Sequence, residues 1–204
     1  KISTMVPAPP QGRLTLTAAT PVLTTEVAAA TTFYYALYLG DLVPVYDGTN
    51  WTIRHFSELS IAMAGSANWA ANSNFDVYVY DDAGTLRLVT GAAWTNDTTR
   101  AEILVRQNGI WLNSPAITGR YGAASTVEIS ASRALYVGTI RTTGSTGTTQ
   151  MLFAPGTPDS MFVWNNYNQV SWALYVINTT AHTYTTASWR AWNNDATNSQ
   201  ITMV

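Results

Sequence analysis

Residues suited to acid–base or metal chemistry are few in this chain. His55 and His182 are the only histidines. Neither sits beside a nucleophile, and no Gly-x-Ser-x-Gly elbow, His-x-x-x-His pair or phosphate-loop spacing occurs. Both read as structural or surface residues. Asp76, Asp81 and Asp82 cluster in a way that would suit a calcium loop or a pair of glycosidase carboxylates. Yet Asp81-Asp82-Ala83-Gly84 falls where a hairpin must turn, and aspartate favours turns because its carboxylate accepts from nearby backbone N–H groups. Asp47-Gly48 reads the same way. Without cysteine there is no disulfide, thiolate metal site or thiol nucleophile. The residues thus point to no catalytic group, no metal site and no cofactor.

Binding chemistry is better represented. Trp and Tyr number 8 and 11, and such rings stack on sugar faces when exposed and fill cores when buried. Trp164-Asn-Asn-Tyr167-Asn and Trp189-Arg-Ala-Trp192-Asn-Asn mix rings with amides, the pairing expected of a carbohydrate groove. Trp164, Tyr167, Trp189 and Trp192 are therefore the candidate carbohydrate-binding residues, against the plainer reading that rings in a β-sandwich are core. Asn-x-Thr sites at Asn50, Asn96 and Asn178 acquire meaning only in a eukaryotic secretory setting.

The elements that must carry these residues are strands. Charged residues make up 11% of the 204, less than half the roughly 25% of an ordinary domain, and Thr, Ser, Asn and Ala fill the deficit. The net charge is −2, Lys1 is the sole lysine and the arginines are dispersed, which argues against a nucleic-acid footprint or a polybasic membrane patch. No apolar run is long enough to span a bilayer. Three prolines between Met5 and Gly12 predict an extended N-terminal arm over residues 1–12, with Val6, Pro7, Pro9 and Pro10 as its anchoring residues. Residues 13–204 read as a single β-sandwich domain. Strands are expected at Arg13–Thr17, Pro21–Leu23, Thr31–Leu39, Val43–Tyr46, Trp51–Ile53, Phe75–Tyr80, Thr85–Thr90, Arg100–Val105, Ile110–Leu112, Thr126–Ser130, Ala134–Arg141, Met161–Trp164 and Ser171–Asn178. Helix formers in Ser57–Ala64 allow a helix of barely two turns capped by Ser57. Thr143–Thr148 reads as a loop tip. Many short strands and no long helix predict an all-β, antiparallel β-sandwich, jelly-roll-like.

Several strings then resemble a known family. Gly12-Arg-Leu-Thr-Leu16, Ala30-Thr-Thr-Phe-Tyr-Tyr35, Leu42-Val-Pro-Val-Tyr-Asp-Gly-Thr-Asn-Trp51, Phe56-Ser-Glu-Leu59, Gly84-Thr-Leu-Arg-Leu88, Tyr136-Val-Gly-Thr-Ile-Arg141 and Trp164-Asn-Asn-Tyr-Asn168 are similar, in order, to virion structural proteins of tailed bacteriophages and their prophages: tail fibre, head fibre and capsid decoration proteins. The resemblance implies a non-enzymatic particle component on the virion surface, with no catalytic residues to carry over. It implies a homotrimer, which would also hide strand edges. Its partners would be the major capsid protein or other virion proteins, with no nucleic acid and no membrane. A compact domain with a short arm lacks a shaft, which favours a capsid decoration or head-fibre role. The alternative is a tail fibre or receptor-binding protein that recognises host-surface glycan.

Overall fold

The computed structural model describes residues 7–154 and 159–172, positions Thr183, Thr185, Ala187 and Ser188, and the backbone of 201–203. In chain order the first strands are β1 (Gly12–Thr15), β2 (Val27–Ala30), β3 (Thr32–Leu37), β4 (Leu42–Tyr46), β5 (Trp51–His55), β6 (Leu59–Ala62), β7 (Asn74–Asp82) and β8 (Thr85–Ala93). There follow β9 (Leu104–Gln107), β10 (Ile110–Asn113), β11 (Ile117–Arg120), β12 (Thr126–Ile129), β13 (Leu135–Arg141), β14 (Thr149–Leu152), β15 (Asp159–Met161), β16 (Val163–Asn165) and β17 (Ile201–Met203). A single 3-10 turn, Ala67–Trp69, is the helical content among the described residues.

The fold is all-β and sandwich-like. An eight-stranded curled sheet runs β12-β11-β8-β7-β13-β10-β9, with β16 also on β13. Smaller sheets are β1-β3-β6, β17-β15-β14-β2 and the β4-β5 hairpin. Every pairing is antiparallel except β15 with β17. The division into sheets of eight, three, four and two strands does not by itself identify a jelly roll.

Period-two alternation along the large sheet sends side chains to two different cores. Phe75, Val77 and Val79 of β7, Leu88 of β8, Ile110 and Leu112 of β10, and Leu135, Val137 and Ile140 of β13 face the smaller sheets. There they join Leu14, Phe33, Tyr35, Ile61 and Trp69 in the main core. The intervening residues face the other way: Tyr78, Val89 and Tyr136 meet Ile117 and Ile129 where the sheet curls, with Tyr80, Trp111 and Val127 partly buried around them.

One extra residue in β13 holds this scheme together. Tyr136 pairs with Tyr78, but Gly138 pairs with Val77, so Val137 is a bulge. The bulge keeps Ile140 in the main core and turns Thr139 to the same face as Asp76, its register partner. The freed Val137 carbonyl accepts the Asn166 N–H (2.9 Å). The outer edge of β13 is shared, with β10 at Leu135 and β16 from Gly138 to Ile140. The β1 strand is stitched to this edge by the Asn165 side chain, which accepts from Leu14 N (2.6 Å) and donates to Leu14 O (3.1 Å).

The turns match their sequences. Ala83 and Gly84 have φ of 48° and 97°, the left-handed pair that a two-residue hairpin requires, and Asp81 Oδ1 accepts Gly84 N (2.8 Å). Asp47 Oδ1 accepts from the backbone N–H groups of Thr49 and Asn50 at 2.8 and 2.7 Å.

Four local expectations need correction. Ser57–Ala64 holds no helix: Ile61 and Met63 are buried, whereas Ser60, Ala62 and Ala64 are exposed, and β6 pairs with β3. The two-residue period outweighs the helix propensity. Pro21–Leu23 is a bend in which Leu23 joins the main core and the Pro21 carbonyl accepts Arg13 Nε (2.8 Å). The strand expected from Arg100 begins only at Leu104, because Arg100 and Glu102 turn inward to bind buried groups. Ser171 and Trp172 are outside strands, and the rest of the strand expected to Asn178 lies outside the described residues.

Candidate functional site

The sequence candidates do not converge. Trp164 stands opposite Thr139 in register, is 43% exposed, and borders a shallow pocket of about 80 Å³ with Arg13, Gln169 and Trp172. Tyr167 packs against the main core, and its hydroxyl accepts the Trp111 N–H (3.0 Å). Burial pushes that hydroxyl above the usual tyrosine range. Its ring is therefore a brace and is not shared with Trp164. Trp189, Trp192 and His182 lie outside the described residues.

Val6 also lies outside them. Of the other arm residues, Pro7 and Pro10 are buried and Pro9 is exposed. The Pro10 carbonyl accepts Asn168 Nδ2 (2.9 Å), and the Gln11 N–H donates to the Leu42 carbonyl (3.0 Å). The end of the segment is thus laid along the body.

The aspartates separate as turn residues do. Asp81 Oδ2 takes Arg54 Nη1 at 2.5 Å, whereas Asp82 Oδ2 takes Arg87 Nε at 2.7 Å. Adjacent strand residues point to opposite faces, so the two carboxylates cannot share an ion. Among the described residues no group of three or more His, Cys, Asp or Glu is placed to hold a metal. His55 Nδ1 meets Asp41 Oδ2 (2.8 Å) at the exposed end of the β4-β5 hairpin.

The concentrated chemistry is on the second face of the large sheet, around Asp76. Its carboxylate is fully buried, with Oδ1 accepting from Thr139 Oγ1 (2.9 Å) and Oδ2 paired with Arg100 Nη1 (3.2 Å). Arg100 Nη2 donates to the Tyr136 hydroxyl (3.2 Å), itself 2.7 Å from Thr139 Oγ1. The guanidinium carbon lies 4.9 Å from the ring centroids of both Trp94 and Tyr136, within cation–π range. Burial pushes the Asp76 carboxyl above the ordinary aspartate range, with the Arg100 charge and the Thr139 hydrogen bond pulling it back.

Glu102 anchors the same loop two residues on. Between Phe75↔Ala93 and Val77↔Thr90, β8 carries one residue more than β7, and this bulge frees two backbone groups. Both are taken up by charged side chains: Ala92 N donates to Glu102 Oε1 (2.7 Å), and Gly91 O accepts Arg120 Nη1 (2.6 Å). Glu102 is 7% exposed, and its Oε2 has no hydrogen-bond partner.

Burial, then proximity to Asp76, pushes the Glu102 carboxyl up, while the Ala92 N–H opposes the shift. A carboxyl whose value is raised in the fold contributes stability that is full below its unfolded value, about 4.3, and is lost as pH rises through the folded value. Glu102→Gln keeps the acceptor for Ala92 and carries no charge. It is therefore expected to be more stable than wild type at neutral pH, with the difference shrinking on acidification toward pH ~4. Thermal melts of both proteins across this range check it; a difference that does not change with pH would contradict the shift.

Above these groups the 98–104 loop, Trp111 of β10 and Asn166 enclose an open cleft of about 590 Å³, which Tyr136 and Glu102 also line. Ile103 on the loop is 73% exposed, and Arg106 covers the Trp111 ring with its guanidinium carbon 4.6 Å from the centroid. Sequence reasoning passed over Arg100, Glu102 and Trp111. The available signal was a pair of opposite charges two residues apart interrupting an apolar strand pattern in a chain poor in charge. Searches for related proteins place no constraint on this site, for no family model, curated protein or solved structure matches the chain.

Proposed function

We propose that the chain is a non-enzymatic bacteriophage virion structural protein, displayed outside the particle as a capsid decoration or head-fibre protein. In this reading it is a homotrimer attached through residues 1–12 to the major capsid protein or another virion protein. The observation that carries the reading is what the family-like strings do in the fold. Leu14, Phe33, Tyr35, Val43, Phe56, Leu88, Val137 and Ile140 from those strings all lie in the main core. Asp47-Gly48 makes a turn, and Asn165 and Asn168 tie the N-terminal segment to the large sheet. On this reading the strings that resemble phage structural proteins serve as scaffold, as expected of a subunit whose task is to stand on a particle.

Quantitative mass spectrometry of purified virions tests the reading. Hundreds of copies per particle support decoration, whereas absence from particles, or a chain that stays monomeric in micromolar solution and binds no virion protein, overturns it. A few to some tens of copies would favour the second reading, a tail fibre or receptor-binding protein, which the open cleft beside Trp111 supports independently.

A further inference from the structure

The large sheet ends at β9, which among the described strands pairs with β10 alone and borders the cleft at Leu104. In an antiparallel ladder the hydrogen-bonded residues of a strand recur at every second position. Ser114 N donates to the Ile103 carbonyl (2.7 Å), and Gln107 and Ile110 close the two-residue Asn108-Gly109 turn. Ile103, Val105 and Gln107 therefore direct their backbone groups to β10. The N–H and C=O groups of Leu104 and Arg106 point outward, and among the described residues they have no hydrogen-bond partner. We infer that this edge takes up an extended segment of another polypeptide as an added antiparallel strand, one with a carboxylate opposite Arg106 and an apolar side chain opposite Leu104.

The apolar requirement comes from the face. Leu104 packs against the second core and Arg106 covers Trp111, whereas Val105 packs against the main core. Leu104 and Arg106 thus share the face on which the cleft opens. An added strand runs about 4.8 Å outside β9. Its side chain opposite Leu104 meets Leu104 and the exposed Ile103, both of which line the cleft.

The acidic requirement comes from charge. Arg54, Arg87, Arg100 and Arg141 each pair with an aspartate. Arg106 is exposed and among the described residues has the Trp111 ring and no carboxylate. Stacking on the ring holds its guanidinium beside the open edge. Glu102, the carboxyl that lines the cleft, is buried and accepts Ala92 N, so it does not neutralise this arginine. A second copy pairing through its own β9 would bring another arginine and no carboxylate, which disfavours self-pairing and selects a foreign acidic segment. Because the added strand runs antiparallel, its motif reads acidic residue, any residue, apolar residue.

The inference goes beyond the virion reading and does not depend on it: one is measured with peptides on the purified chain, the other with particles. The probe is a fluorescein-labelled, end-blocked peptide Thr-Thr-Glu-Thr-Leu-Thr, followed by fluorescence anisotropy and by hydrogen exchange on the full chain. It is expected to bind with a Kd below about 1 mM, more weakly as salt rises, and to slow exchange at Leu104 and Arg106. The peptide with lysine for glutamate should bind about tenfold more weakly, and Arg106→Glu should reverse that preference. N-methylation of the peptide at its glutamate removes one strand donor and should abolish binding with the protein unaltered. The inference is overturned if the glutamate peptide does not bind, if the lysine or N-methyl peptide binds equally well, or if Arg106→Glu leaves the preference unchanged. Protection of the Leu104 and Arg106 N–H groups that rises with the chain's own concentration, without peptide, would assign the edge to a second copy and likewise overturn it.

Discussion

Gly138→Ala is expected to lower the unfolding free energy by about 3 kcal/mol, the upper end of what an overpacked interior costs. For a chain of this length that is a fall in Tm of roughly 6–12 °C. A Cβ at Gly138 would stand 2.0 Å from the Trp164 carbonyl oxygen and 2.8 Å from Leu14 Cδ1. The leucine tip can rotate away. The carbonyl cannot, because Trp164 is held in register between β13 and the segment that Asn165 and Asn168 stitch to β1. The added methyl must therefore push β16 off the edge of β13. Gly144→Ala is the control, with nothing nearer than 4.0 Å, and should fall within about 0.5 kcal/mol of wild type. Urea unfolding gives both numbers, and hydrogen exchange at Val163–Asn165 should quicken only in Gly138→Ala. A loss below about 1 kcal/mol would mean that β16 does not pack as described.

The same strand shows how far the sequence could be read. Phe75–Tyr80 and Thr85–Thr90 announce themselves by strict alternation, and Ala83-Gly84 by its turn chemistry, because hairpin pairing is local. Val27–Ala30 carries no alternation, Ile117–Arg120 is short and contains Gly119, and Thr149–Leu152 follows a Gly-rich loop. β2 and β14 become strands only because they pair with each other across the chain, and β11 is held by a hairpin with β12 and a single register pair with the distant β8. The candidate site was less legible for a related reason. Trp164 and Tyr167 look alike as rings beside amides, yet three residues of separation put one at the surface and the other against the main core. Arg100 and Glu102 gain meaning only from the β8 bulge and from Asp76, 24 positions from Arg100, and pairing across that distance leaves no periodic trace.

Asp76→Ala is expected to cost about 1–3 kcal/mol, the range for leaving buried hydrogen-bond donors without their acceptor. Asp76 is fully buried, whereas the Arg100 side chain is 34% exposed, so the two ends of the pair are unequal. Removing the carboxylate leaves Thr139 without its acceptor and Arg100 held between Trp94 and Tyr136 without its countercharge. The guanidinium is already partly in water, and it can gain further solvation by moving off both rings, which would loosen the loop that walls the cleft. Arg100→Ala has the converse effect, stranding a carboxylate that burial already disfavours in its charged form. Replacing both by leucine should recover a large part of the loss, because two apolar side chains leave no unpaired charge. Hydrogen exchange should report the loosening at Ala92 and Ser114, whose N–H groups are bonded to Glu102 and to the Ile103 carbonyl, before the main-core amides of β7 respond. If Asp76→Ala costs less than about 1 kcal/mol, the pair behaves like a surface contact, and the cleft wall is held by Glu102 and the apolar residues around it.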